Sequence, residues 1–142
     1  MKKLLPLLSL LFIANIAMAI TPPAAVEKAF QKKFPTVTKV YWENEDHNEW
    51  EAEFKMDKKK YTASFTSEGA WVITEGEIEI SELPAALKKE ILNKYPESTF
   101  LEVYKIESAK KEIFYEAKIK TPTKKRKVFI TSDGVFVKSM LK

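Results

Sequence analysis

The chain has 142 residues, 24 basic against 20 acidic side chains, a formal net charge of +4 and no cysteine. This length is typical of one domain that can bury a core without metal ions or disulfide bonds. The near balance of charge excludes the strongly basic surface of nucleic-acid-binding proteins. A chain without cysteine forms no disulfide and carries no lipid on a cysteine.

The first 19 residues match the pattern of a secretory signal peptide: two lysines at the start, an apolar stretch over 4–14, and the small-residue motif Ala-Met-Ala. The apolar stretch is too short to span a bilayer, which takes about 20 apolar residues. We therefore expect cleavage after Ala19, a periplasmic or secreted location, and no membrane insertion afterwards. The remaining chain, 20–142, would be a single domain of charge +2, because Lys2 and Lys3 leave with the signal peptide.

The remaining chain repeats itself. "PAAVEKAFQKKFP" at 23–35 is similar to "PAALKKEILNKYP" at 84–96, at an offset of 61, whereas "WEAEF" at 50–54 is similar to "YEAKI" at 115–119, at an offset of 65. Four extra residues must therefore enter the second copy between its first segment and "YEAKI". Such internal similarity indicates two copies of one structural unit.

Each copy starts with a predicted helix. Apolar residues recur on one face at helical spacing in both segments: Val26, Ala29, Phe30 and Phe34 in the first copy, and Leu87, Ile91 and Tyr95 in the second. Prolines lie before both segments, where a first helical turn accepts them, and after both, where they end a helix.

Strands follow each helix, because the apolar period changes to two. Trp50, Ala52 and Phe54 share one face, and the intervening glutamates take the other. "TSEGAWV" at 66–72 and "TSDGVFV" at 131–137 each place a glycine after an acidic residue, which is typical of a tight hairpin turn. We expect this turn to lead into the last strand of each unit, with the aromatic residue of each stretch entering the core.

These patterns predict an α+β fold. Two tandem helix-plus-four-strand repeats, 22–80 and 81–142, would form one antiparallel sheet of about eight strands with two helices on one face. The opposite face would stay open and polar. One repeat alone would be marginal in size, which is a physical reason for two.

The order of the motifs resembles the periplasmic PepSY-like proteins, a family also described as beta-lactamase-inhibitor-like. The resemblance covers 22–137 and rests on "PAAV", "VYW", "WEAEF", "GAWV", "LPAAL", "YEAKI" and "DGVFV" in that order, behind a signal peptide. It implies the two-unit fold and a periplasmic location. Related PepSY domains are thought to act as protease propeptide-like regulators. The second copy departs from the first, with Tyr115 and Phe136 in place of tryptophans and Lys118 in place of a glutamate, and no inhibitory residue can be carried onto this chain.

The sequence predicts no catalytic, cofactor or metal site. The single histidine, His47, lies in the polar stretch "ENEDHNE" at 43–49, and no motif frames a serine nucleophile. The acids of that stretch could ligate calcium, but they lack the spacing and the glycine of an EF-hand loop, which favours a solvated turn. Paired carboxylates can hydrolyse glycosides, but a flat strand face would offer no pocket to raise one pKa. We expect a protein that is not an enzyme and needs no cofactor.

Two basic runs, "KMDKKK" at 55–60 and "KKRK" at 124–127, occupy matching hairpin tips in the two copies. We interpret them as solvated turns that discourage edge-to-edge aggregation. They could also steer an acidic protein partner towards the molecule.

The open face of the sheet is the predicted binding surface. It would bind an unidentified protein or peptide of the cell envelope through an acidic stripe, the hydroxyl residues beside it and one outward aromatic side chain. The candidate residues are Glu49, Glu51, Glu53, Thr62, Ser64, Tyr41 and Trp42. Because Tyr41 and Trp42 are adjacent in a strand, one of them should face away from the core. The alternatives are a solvated face without a partner, and a small-ligand or divalent-ion-sensing envelope protein that uses the acidic stretch.

Overall fold

The structure, a computed structural model, describes residues 20–46 and 48–138, with only the backbone of Asp46. The signal-peptide segment and His47 lie outside the described residues, so what the sequence predicts for them stays a prediction. In chain order the elements are α1 (Ala24–Lys33), β1 (Val40–Asp46), β2 (Glu49–Met56), β3 (Lys59–Thr66), β4 (Trp71–Ile78), a 3₁₀ turn (Ile80–Glu82), α2 (Ala85–Lys94), β5 (Thr99–Ser108), β6 (Ile113–Lys120), β7 (Lys125–Thr131) and β8 (Phe136–Val137).

The eight strands form one antiparallel sheet whose spatial order follows chain order from β1 to β8. Each helix precedes four strands, which confirms the predicted α+β architecture and is consistent with the predicted duplication. β4 and β5 join the two halves along a continuous ladder that runs from Ile73, opposite Ser108, to Ile78, opposite Val103.

The four extra residues of the second half lengthen one hairpin. In the β1–β2 hairpin, Asn44 pairs with Trp50, and five residues lie between them. In the β5–β6 hairpin, Lys105 pairs with Tyr115, which is Trp50 shifted by 65, and nine residues lie between them. The ladder continues past this pair to Glu107, opposite Ile113, so the insertion extends the hairpin above the pair. Below it the pairing matches that of β1 with β2 as far as Glu102, opposite Lys118.

Two clusters of apolar side chains lie beneath the two helices. The first contains Val26, Phe30, Phe34, Val37, Trp42, Ala52, Phe54, Ala63 and Phe65. The second contains Leu83, Leu87, Ile91, Val103, Ala117, Ile119, Val128 and Ile130. Tyr61, beside the first cluster, pairs with Gly76, and Gly76 pairs with Lys105. Lys105 pairs in turn with Tyr115, beside the second cluster, so one row of the sheet links the clusters and both helices cover the same face.

The two repeated glycine stretches form the β3–β4 and β7–β8 turns, as predicted. The aromatic residue after each turn is half-buried against the core, under the last lysine of the helix. Lys33 Nζ lies 3.6 Å from the ring centroid of Trp71, and Lys94 Nζ lies 4.0 Å from that of Phe136. Both are cation–π contacts, and they hold the C-terminal end of each helix against the last strand of its half.

The face opposite the helices is not polar throughout, which corrects the prediction. Ile73, Tyr104 and Ile106 lie on that face in the central strands β4 and β5 and are 6%, 7% and 0% exposed. In β5, Lys105 and Glu107 point to the helix side and form an ion pair at 2.7 Å. The helices cover the flanks of the sheet, whereas Ile73, Tyr104 and Ile106 at its centre are buried on the other face.

Candidate functional site

The structure places six of the seven predicted face residues on the sheet surface away from the helices. Tyr41 pairs with Glu53, Glu53 with Thr62, and the next row holds Glu51 and Ser64. Of these, Tyr41 is 51% exposed, whereas Ser64 is buried at 1% exposure.

Trp42 is the exception among the seven. Its ring lies in the core beneath α1, 8% exposed and 5.3 Å from the ring of Phe30. Tyr41 is therefore the outward aromatic residue of the adjacent pair, and Trp42 does not belong to the open face.

A cavity of about 950 Å³ lies on this surface. Its lining runs across the sheet from Tyr41 in β1, through Glu53 in β2 and Glu75 in β4, to Glu116 in β6 and Lys127 in β7. Strands this far apart in the sheet can share one cavity only if the sheet curves towards it. The face is therefore concave, which the strong twist of wide antiparallel sheets allows.

Two glutamates from different halves of the chain face this cavity. The side chain of Glu116 is almost fully buried, and its Oε1 lies 3.5 Å from Lys127 Nζ, an ion pair without a hydrogen bond. Burial, and then the charge of Glu116, raises the pKa of Glu75 to about 7. The sequence argument against a hydrolytic pair of carboxylates assumed a flat strand face. Because the face is concave, that argument no longer applies.

Lysines at the margin of the cavity are held by a third glutamate. Lys118 Nζ and the Tyr104 hydroxyl both donate to Glu102 Oε2, at 2.7 and 2.8 Å, and Lys60 Nζ lies 3.8 Å from its Oε1. The hydrogen bond from Lys118, and then that from Tyr104, lowers the pKa of Glu102 to about 2. Burial, and then the hydrogen bond to Glu102, raises the pKa of Tyr104 to about 12. Glu102 therefore stays ionised and Tyr104 stays protonated near neutral pH.

The first basic run is not a free cationic tip. Residues 55–60 lie at the tip of the β2–β3 hairpin, as predicted, but Lys59 Nζ lies 3.1 Å from Glu82 and 3.7 Å from Glu79. Together with the contact of Lys60 to Glu102, these pairs satisfy much of the charge of the run. The run therefore presents less positive potential than the sequence suggests.

Sequence reasoning did not assign most of the cavity lining to the site, including four charged residues: Glu75, Glu116, Lys118 and Lys127. The offset of 65 could have found three of them, because it carries Glu51 to Glu116, Glu53 to Lys118 and Thr62 to Lys127. The offset does not find Glu75, because it carries this position to Met140, which has no charge.

Neither a metal site nor a membrane span is found within residues 20–46 and 48–138. No group of three or more His, Cys, Asp or Glu side chains there could hold a metal ion. None of the helices in this part of the chain is long and apolar enough to cross a bilayer.

Several solved structures share this fold. A protein from Bacteroides eggerthii, described among "putative periplasmic proteins", has 20% identity and a TM-score of 0.75, covering 84% of this chain and 88% of its own. A DUF2874 family protein from Bacteroides ovatus has 24% identity and a TM-score of 0.72, covering 84% and 86%. A BLIP-like protein from Bacteroides fragilis has 20% identity and a TM-score of 0.68, covering 85% and 86%.

Among curated proteins, no sequence matches this chain significantly. A family model does match, over residues 48–138, which is more than half of the 142 residues. The matched part runs from the start of β2 to the end of β8 and includes the cavity residues Glu53, Glu75, Glu116 and Lys127. The chain therefore belongs to the family described as "Putative beta-lactamase-inhibitor-like, PepSY-like".

Proposed function

We propose that this protein is a non-enzymatic, inhibitor-like binding module of the periplasm whose concave sheet face binds a protein or peptide. The observation that supports it best is the cavity of about 950 Å³ on that face, lined by both apolar and charged side chains. Binding sites are typically concave and combine an apolar lining with a few well-placed polar groups. Three of the residues predicted from sequence for this face, Tyr41, Glu53 and Thr62, line the cavity.

The periplasmic location rests on two independent observations. The first 19 residues have the charge and hydropathy pattern of a signal peptide. The structural neighbour from Bacteroides eggerthii is described among "putative periplasmic proteins". The inhibitor-like role rests on the family description and on the BLIP-like neighbour from Bacteroides fragilis.

Site-directed photocrosslinking tests this proposal. A benzophenone amino acid would replace Tyr41, which is exposed beside the cavity, and in a control protein it would replace Gln31, which is exposed on α1. In the native envelope we expect a discrete adduct from position 41 that disappears when Glu51 and Glu53 are changed to lysine. Equal adducts from both positions, or none from position 41, would contradict a binding role for this face.

The second candidate is a small-ligand or divalent-ion sensor that uses the acidic stretch at 43–49. Carboxylate oxygens suit calcium, and Glu43 and Glu49 lie in the paired strands on either side of that turn. Calorimetric titration with calcium separates the two candidates. Heat that saturates below millimolar calcium would favour the sensor, and a flat titration would remove it.

The paired carboxylates also define a test of the non-enzymatic assignment. A carboxyl group with a raised pKa beside a second carboxylate is the arrangement that acid–base hydrolysis uses. We expect no turnover of nitrophenyl glycosides. Hydrolysis that is lost in both Glu75→Gln and Glu116→Gln would show that the protein is an enzyme.

A further inference from the structure

We propose that the concave cavity accepts an acidic side chain of the bound protein or peptide, an aspartate or a glutamate, whose carboxylate lies against Lys39, Lys55 and Lys60. These three residues are called the lysine row below. This inference rests on the proposed function and adds the chemistry of the partner. It therefore predicts which ligands the face selects.

The charge of the cavity lining supplies the first argument. Five lysines and three glutamates line the cavity, an excess of two positive charges when every group is ionised. If Glu102 at the margin is counted as well, the five lysines still outnumber four glutamates. Glu75 has a pKa of about 7 and is therefore only partly ionised near neutral pH, which increases the excess. A negatively charged ligand group is the complementary one.

Strand register brings the lysine row together. Lys55 in β2 pairs directly with Lys60 in β3. Lys39 immediately precedes Val40, which pairs with Phe54, so Lys39 lies beside Lys55. All three lysines line the cavity. Like charges directly opposite each other in a sheet destabilise the pairing, and a carboxylate placed between them would offset that repulsion.

Two members of the lysine row keep their charge available for a ligand. Lys60 Nζ lies 3.8 Å from Glu102, whereas none of the ion pairs within residues 20–46 and 48–138 involves Lys39 or Lys55. Both remaining lysines of the lining are already paired with glutamates. The side chains of Lys39 and Lys55 are exposed, so a carboxylate can reach them from solvent.

Hydroxyl groups near the lysine row can complete the hydrogen bonds of a bound carboxylate. Thr36 and Thr38 lie in the segment between α1 and β1, directly before Lys39, and both line the cavity. A threonine hydroxyl donates one hydrogen bond and an ammonium group donates up to three. Hydrogen bonds from an ammonium group to a carboxylate are about twice as strong as those between neutral groups.

The second half of the chain repeats the cross-strand lysine pair. The offset of 65 carries Lys55 and Lys60 to Lys120 and Lys125, and these two residues also pair directly, between β6 and β7. Lys120 lies two positions after Lys118, which lines the cavity, so both belong to the concave face. Two lysine pairs therefore border one end of that face and raise the positive potential there.

Glu53 limits how acidic the ligand can be. It lies two residues before Lys55 on the same face and also lines the cavity. A continuous acidic segment would bring a second carboxylate against Glu53, and like charges brought together cost binding energy. We therefore expect a single acidic side chain with neutral or basic residues on either side.

A displayed library of short random peptides tests the inference on the exported chain. Selection would be run on the unaltered protein and on the double variant Lys39→Gln, Lys55→Gln. The matched control is Lys28→Gln, Lys32→Gln, which removes the same charge from exposed positions on α1. We expect enriched peptides to share an aspartate or glutamate at one position. Synthetic copies with the corresponding amide there should bind at least about tenfold more weakly, a comparison that leaves the protein unchanged.

Each outcome bears on a different claim. Loss of the acidic preference in the Lys39→Gln, Lys55→Gln variant, with the control unchanged, would support the anchor. Enriched peptides without a shared acidic residue, equal binding of the amide copy, or an acidic preference that the double variant retains would overturn the anchor but keep the peptide-binding function. If no peptide is enriched on the unaltered protein, both the anchor and peptide binding by this face are overturned.

Discussion

Gly69 and Gly134 hold equivalent turns in different surroundings. Their φ angles are 86° and 90°, a region that glycine reaches without strain, and each N–H donates to the threonine carbonyl three residues earlier, at 2.8 and 3.0 Å. A Cβ built on Gly69 would lie 2.6 Å from the carbonyl oxygen of Ala25 in α1, whereas one on Gly134 would meet nothing closer than 3.9 Å. The first turn is packed directly against backbone, and the second is not.

The two glycines therefore predict unequal costs of substitution. Gly134→Ala should cost about 1–2 kcal/mol of unfolding free energy, because only the left-handed backbone is strained. Gly69→Ala carries the same strain and also forces α1 away from the turn, which adds about 1–3 kcal/mol. Urea denaturation of the two variants measures the difference. Equal costs would show that α1 yields freely at Ala25.

Glu75 should make stability fall as pH rises. Its pKa is about 7 when folded against an ordinary value of 4.5, so the folded state holds the proton more tightly than the unfolded state. The resulting stabilisation is present below about pH 4.5 and is lost as pH rises through about 7. Glu75→Gln should therefore raise the unfolding free energy at about pH 8 by about 1–2 kcal/mol, a value reduced for solvent screening, and by little at about pH 4.5.

Thermal unfolding at several pH values, with Glu68→Gln as the control, checks this prediction. Because Glu68 is exposed in a turn, its substitution should leave the pH profile as it is. A Glu75→Gln profile parallel to that of the unaltered protein would mean that Glu75 titrates normally.

At the scale of single elements, each helix packs on the sheet through two buried side chains, Val26 and Phe30 in α1 and Leu87 and Ile91 in α2. The ring of Phe30 lies 5.2, 5.3 and 5.1 Å from those of Phe34, Trp42 and Phe54, and Ile91 takes the equivalent position in α2. Phe30→Ala should cost about 3–5 kcal/mol through the cavity it leaves. Gln31→Ala, at the exposed neighbouring position, should change the unfolding free energy by less than about 0.5 kcal/mol. Chemical denaturation of both variants would contradict this packing if their costs were similar.

The alternation of apolar and polar residues predicted the buried face of the strands correctly at the flanks of the sheet, but not at its centre. Trp50, Ala52 and Phe54 face the helices as predicted, because a helix covers that flank. In β5 the apolar residues Tyr104 and Ile106 face the other way. A sequence pattern shows that one face of a strand is buried, but which face is buried depends on where the helices end.

The candidate site also could be predicted only in part from sequence patterns. Glu51 and Glu53 could be assigned to the open face from their spacing alone. That Glu75 and Glu116 share a cavity depends on the pairing of β4 with β5 and on the curvature of the whole sheet, and neither is encoded in a local pattern. The adjacent Tyr41 and Trp42 could be divided between the faces, but only the register shows which of them points outward.

At the scale of the whole molecule, the two halves have separate clusters but one sheet. The β4–β5 ladder crosses the boundary, and so does the ion pair between Lys60 in β3 and Glu102 in β5. Ile73 and Ile106, one from each half, are both buried on the concave face. Each half alone is close to the size at which a single core is marginal. These contacts make each half depend on the other.

We therefore expect one cooperative unfolding transition, and tryptophan can report it. All three tryptophans, Trp42, Trp50 and Trp71, lie in the first half, whereas Ile91 is buried in the second. Ile91→Ala should cost about 2–5 kcal/mol and move the tryptophan fluorescence transition to lower urea together with the circular dichroism transition. If the circular dichroism signal fell first and the fluorescence transition stayed in place, the halves would unfold separately. Because the cavity is built from both halves, coincident transitions would also mean that it forms only in the intact protein.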